Sequence, residues 1–200
     1  MIKRTAVAVA TALALSLGLT ACGNASQASP ETQASSTTST QETTQTPTSQ
    51  STTTAEKRVA KDGANMQTTD TSMPTRVPME GGTKINMHFG DTVIPGVLND
   101  SETAKALIAK LPLTQHVNRY THDFCGTTDP LPYKEDEVHY GWLNGDIDYA
   151  TDAPYFTILF EDQDVSEQYG SQVNIGVITC PLKDIAELQG SFDVRIELAE

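Results

Sequence analysis

The chain has 200 residues, with 13 Lys and Arg against 26 Asp and Glu, for a formal net charge of −13. Acidity of this order, with no basic stripe, argues against a nucleic-acid partner. Three cysteines are too few for a disulfide-dense scaffold, and none sits in a CxxC pair that would suggest a zinc or redox centre.

Lys3 and Arg4 precede an apolar run from Ala6 to Leu19, which is too short to span a bilayer and has the shape of a signal peptide. It ends in Leu19-Thr20-Ala21-Cys22, which resembles the lipobox of bacterial lipoproteins. That likeness implies a signal peptide over 1–21, lipid on Cys22, and a mature protein held at the extracytoplasmic face of the cell membrane. From Gly23 to Thr54 the chain is almost entirely Ser, Thr, Gln, Ala and Pro, with no aliphatic residue larger than Ala. Such a stretch cannot bury enough apolar surface to offset the entropy of ordering it. Residues 55–80 are more mixed but carry Gly63, Pro74 and Pro78 and show no sustained period, so 22–80 reads as a lipidated tether and 81–200 as one domain.

In that domain Lys84 to Phe89 alternates, with Ile85, Met87 and Phe89 on one face, and Gly90-Asp91 leads into a second extended run from Thr92 to Leu98, giving a β-hairpin. Asn99, Asp100 and Ser101 offer caps for a helix in which Ala104, Leu107, Ile108 and Leu111 share a face, and Pro112 stops it. An extended stretch from Leu113 to Tyr120 follows. The segment from Thr121 to Asp136 then reads as a long loop, of a length that points to function. Further strands are expected at 138–143, 146–149, 155–160, 174–178 and 192–198, with a short helix at 182–188. Many short strands with two brief helices suggest a mainly β fold, a closed barrel whose ends the helices cap.

Ile85-Asn86-Met87, Leu111-Pro112-Leu113-Thr114, Gly145-Asp146-Ile147-Asp148-Tyr149, Leu159-Phe160 and Ile175-Gly176-Val177-Ile178 together resemble the bacterial cyclophilin-like domains over 83–198. The resemblance implies a closed barrel of about eight strands with a helix at each end. Those domains are mostly of unassigned function, and fold does not carry activity with it.

Prolyl isomerisation must lower a rotation barrier of about 18–20 kcal/mol. Cyclophilins use an arginine directed at the prolyl nitrogen above an aromatic-lined pocket. Arg119, followed by Tyr120, His122 and Phe124, loosely resembles that segment, but the Phe-His-Arg order and the Gln-Gly-Gly run are missing. Arg119 is therefore a catalytic candidate only under an isomerase reading. The preferred reading is a non-catalytic module that binds a peptide or small molecule through Tyr133, Tyr140, Arg119 and His122, the two tyrosines flanking Glu135-Asp136-Glu137. No cofactor is implied. Asp146, Asp148 and Asp152 lack the calcium-loop spacing and read as a solvated turn, and the four histidines show no zinc spacing. Cys125 and Cys180 either pair as a disulfide, or Cys180 is a small buried residue and Cys125 a free loop thiol.

Overall fold

The computed structural model describes residues 58–200. The expected signal peptide, Cys22 and the expected tether up to residue 57 lie outside the described residues. Eight strands form one closed antiparallel barrel: β1 (Thr83–Phe89), β2 (Thr92–Leu98), β3 (Leu113–Arg119), β4 (Asp123–Thr127), β5 (Asp146–Ala150), β6 (Tyr155–Leu159), β7 (Gln172–Ile178) and β8 (Ser191–Leu198). Around the barrel the order is β1-β2-β7-β5-β6-β4-β3-β8, with β8 closing onto β1. Closure leaves no free sheet edge, as the strand-rich sequence implied.

The β1–β2 hairpin forms as expected, with Ile85 opposite Gly96, Met87 opposite Ile94 and Phe89 opposite Thr92. Gly90, at φ +60°, takes the first position of the two-residue turn, where a side chain would be strained. Helix α1 (Glu102–Ile108) is capped by the Ser101 side chain, which accepts a hydrogen bond from the Ala104 amide. Its Ala104 and Leu107, with Ile185 of α2 (Leu182–Ala186), join the inward residues of the strands in one core, in which Phe89, Phe124 and Phe192 meet edge to face.

Three expectations need correction. The segment assigned to a loop contains β4, whose five residues pair in full with β6. Residues 138–143 do not form a strand. Gly141 sits at φ +68°, and His139 and Tyr140 make only isolated bridges, to Gln172 and Val59. Residues 58–80, read as tether, are seated on the barrel within the same compact unit. Val59 pairs with Tyr140, the Thr75 amide donates to the Asn144 carbonyl at 2.8 Å, and the Leu182 amide donates to the Ser72 carbonyl at 2.8 Å. This strap crosses Gly145, whose φ of +99° and close approach to Pro74 leave no space for a side chain.

Cys125 and Cys180 are both free thiols. Cys125 lies on β4 and Cys180 just beyond β7. Two strands separate β4 from β7, which puts them roughly 14 Å apart along the sheet, far outside disulfide reach.

Candidate functional site

Alternation along β5 sends Ile147 and Tyr149 into the core and Asp146 and Asp148 to the outer face. Both aspartates are nevertheless fully buried, because the strap covers that face. This overturns the solvated turn expected for them. Arg76 reaches down from the strap and clasps Asp146 with two hydrogen bonds, Nε to Oδ1 at 2.7 Å and Nη2 to Oδ2 at 2.8 Å. Burial opposes the charge on Arg76, but the hydrogen bonds and charge of Asp146 outweigh it and hold the guanidinium above its ordinary pKa. Asp146 also accepts from the Leu143 amide at 2.9 Å, which fixes the start of β5.

Asp148 has no cation of its own. Its Oδ1 accepts from Asn174 Nδ2 at 2.9 Å, while Oδ2 is buried without a partner. Burial, reinforced by the Asp146 charge, raises its pKa well above the carboxylate range and favours the neutral acid. Asn174 is directly opposite Asp148 on β7, at an irregularity in the β5–β7 register, and its own carbonyl accepts from Asn99 Nδ2 at 2.8 Å.

Between this polar layer and residues 58–64 of the strap lies a cavity of about 310 Å³, lined by Arg58, Arg76, Asn99, Glu137, His139 and Asn174 among others. His139 is 8% exposed. Its Nδ1 lies 3.1 Å from the Gly141 carbonyl, which can only accept, so the proton sits on Nδ1 and Nε2 presents a lone pair. Nε2 has no partner, and burial lowers the pKa of the ring against the opposing pull of the Asp146 charge and keeps it neutral. Glu137 Oε2 is likewise covered and without a hydrogen bond, although Oε1 lies 3.7 Å from Lys134 Nζ. A second cavity of about 510 Å³ shares Arg76, Asn99 and Asn174.

The sequence model of a family described as "Cyclophilin-like family" matches residues 87–197, more than half of the chain. The chain belongs to the cyclophilin-like family. No curated protein resembles it closely enough to match. Among solved structures it is similar to a hypothetical protein of Archaeoglobus fulgidus determined in solution, at 19% identity and a TM-score of 0.48, over 59% of this chain and 95% of that one. The strap, with Arg76, lies outside the matched span.

The residues singled out from sequence fall in three surroundings of this cyclophilin-like barrel. Arg119 and His122 come together at the end of β3. The Arg119 guanidinium lies 4.7 Å from the Phe160 ring centre and 5.9 Å from that of Phe124, and its Nη1 is buried without a partner. His122 packs against Trp142 at 4.8 Å and Tyr169 at 5.7 Å. Next to His122 in the chain is Asp123, whose pKa burial pushes up to about 6 against the pull of His122 and Arg119. Tyr133 is exposed, with its ring 6.3 Å from that of Tyr149. Tyr140 adjoins the strap, where its amide donates to the Arg58 carbonyl and its carbonyl accepts from the Ala60 amide.

The other histidines do not converge. His88 meets Glu197 at 2.9 Å, and His116 meets Asp193 at 2.7 Å. Among the described residues no three His, Cys, Asp or Glu side chains are placed to hold a metal ion. Sequence reasoning missed Arg76, Asn99, Asn174 and His139 as a cluster. The available signal was the alternation of Asp146 and Asp148 around Ile147, which marks a strand with both acids on the face away from the core, without showing what covers them.

Proposed function

We propose that this chain is a lipid-tethered, extracytoplasmic binding module whose cyclophilin-like barrel takes a small polar ligand in the cavity beneath the strap. The observation that carries this reading is a cavity of about 310 Å³ whose lining residues include His139 and Glu137, which bury Nε2 and Oε2 beside it without a hydrogen-bond partner. Such atoms are costly unless something pairs with them, and buried polar groups without partners concentrate at sites that bind. Glu137 and His139 come from the stretch between Tyr133 and Tyr140, two of the residues singled out from sequence. Tethering is supported by the Leu19-Thr20-Ala21-Cys22 motif and the low-complexity segment that follows it.

Prolyl isomerisation receives less support. Its one candidate, Arg119, has its guanidinium over Phe160 and lines none of the cavities described above.

The ligand reading is tested by titrating the isotope-labelled, unlipidated chain with a library of small polar metabolites and short peptides, followed by amide NMR. Shifts confined to Asn99, Glu137, His139, Asn174 and the strap are expected. Shifts centred on Arg119 or Tyr133, or none at all, would overturn it. For anchoring, radiolabelled palmitate should enter the wild-type protein in cells and fail to enter Cys22→Ala, which should leave the membrane fraction.

A further inference from the structure

We propose that the barrel face around Asp146 is a recognition slot for an arginine carried on a segment of a partner protein, and that the strap fills this slot in cis as a built-in competitor. The inference does not rest on the cavity reading. The receptor half is fixed by the barrel itself. Asp146 is fully buried, its Oδ2 accepts from the Leu143 amide at 2.9 Å, and it presents both oxygens to the strap. Beside it Gly145, with no room for a side chain, abuts Pro74, and the Asn144 carbonyl accepts from the Thr75 amide at 2.8 Å. Arg76 enters side-on through Nε and Nη2, a two-pronged fit that a guanidinium makes and an ammonium does not. Main-chain pairing for affinity, with a socket for one side chain for specificity, is how peptide segments are recognised.

The occupant half is held loosely. Among residues 58–80 only Ala60 and Pro74 are buried, and no side chain of the strap belongs to the hydrophobic core. Three cavities, of about 310, 510 and 250 Å³, run along the seam between strap and barrel, and Arg76 lines all three. Voids on this scale forfeit the dispersion attraction that fastens a close-packed element, which places the strap among the low-stability parts of the fold. Its joint to β1 is one tight turn, in which the Gly82 amide donates to the Met79 carbonyl at 3.1 Å and Gly81 takes φ +73°. Because the strap adds nothing to the core, the barrel's own packing survives when the strap swings away about that turn. The carboxylate of Asp146 is then left in need of a cation, on a chain whose net charge of −13 draws cationic partners.

The probe is the acetylated, amidated hexapeptide of residues 73–78, compared on the unlipidated chain at neutral pH with the same peptide carrying neutral, isosteric citrulline in place of its arginine. The arginine peptide should give saturable amide NMR shifts at Leu143, Asn144 and Asp146 and should quicken hydrogen exchange at Thr75, the amide that ties the strap to the barrel. The citrulline peptide should do neither. Arg76→Gln removes the cis competitor, whose short linker gives it an effective concentration on the order of millimolar, and should tighten the arginine peptide about tenfold or more. Arg76→Lys, which keeps the charge but lacks the fork, should tighten it as well and serves where Arg76→Gln does not fold. Equal shifts from the citrulline peptide would overturn the proposal, as would the absence of saturable shifts in wild type and in the folded variants. A concentration-dependent dimer in sedimentation that disappears in the Arg76 variants would make the strap of a second copy the occupant and overturn the assignment to a foreign segment. A ligand of the cavity should instead slow exchange at Ala60 and Tyr140, so failure of the slot and failure of the cavity reading are told apart by sign.

Discussion

Replacing Arg76 by Met is the most direct test of how the strap and barrel depend on each other. The change keeps an unbranched apolar stem and removes the charge that faces Asp146, whose side chain is fully buried while that of Arg76 is 17% exposed. At a charge separation of about 4 Å and an effective dielectric of about 20, the lost attraction is about 4 kcal/mol. Breaking a buried pair by deleting one partner typically costs about 3–5 kcal/mol, because the other charge remains without compensation. The two magnitudes agree, and against a domain stability of about 5–15 kcal/mol the loss is large. Urea unfolding of the unlipidated chain at pH 7 should show it as a lower midpoint. Adding Asp146→Asn to Arg76→Met should recover about 2–3 kcal/mol, since the amide is neutral and its oxygen still accepts from the Leu143 amide. A loss below about 1 kcal/mol in Arg76→Met, or no recovery in the double variant, would refute the view that one ion pair fastens the strap.

Asp123 gives a pH prediction whose sign is fixed by its raised pKa. Between its ordinary 3.8 and the folded value of about 6 the folded state holds a proton that the unfolded state has lost, so stability falls as pH rises through that window. Asp123→Asn should therefore match wild type near pH 4 and exceed it at pH 7 by at most about 3 kcal/mol, measured by urea midpoints across the range, and an unchanged difference at the two pH values would refute it. Gly145→Ala should destabilise by about 1–3 kcal/mol through positive φ and collision with Pro74, and should speed proteolysis within 66–76 while the barrel core stays protected. Burial raises the Cys125 thiol to about 12 and Cys180 to about 11, so at pH 8 both should resist alkylation until denaturant is added, and an intact mass two daltons low would contradict the free thiols.

What the sequence disclosed depended on how local the determinants were. The β1–β2 hairpin and β8 announce themselves because Ile85, Met87, Phe89, Val194 and Ile196 alternate and are buried by their own strands' pairing. Helix α1 is equally legible from Ser101 and the Ala104–Leu107 spacing. Strand β4 was not, since only Phe124 and Gly126 mark its buried face and a glycine there looks like a loop residue. The site was least legible of all. Asp146 is buried only because Arg76, 70 residues earlier in a stretch without periodicity, lies on top of it. No local pattern encodes such a pairing, and two acids beside Gly145 look like solvated turn residues until the partner is known.

The strap gives the cavity a dependence that a self-contained barrel would lack. Residues 58–64 form one wall of the cavity, Arg76 forms part of its floor, and both belong to the segment that precedes the family-matched span. A ligand bound between Glu137, His139 and the strap must stabilise the docked strap by the same free energy with which the docked strap improves ligand affinity, because linkage is reciprocal. Slower hydrogen exchange at the Ala60 and Tyr140 amides, whose bonds hold the strap edge, is thus the structural signature that occupancy should leave. With the proposed lipid on Cys22, this segment would lie on the covalent path from membrane to barrel, so that anchoring and binding would act on one stretch of backbone.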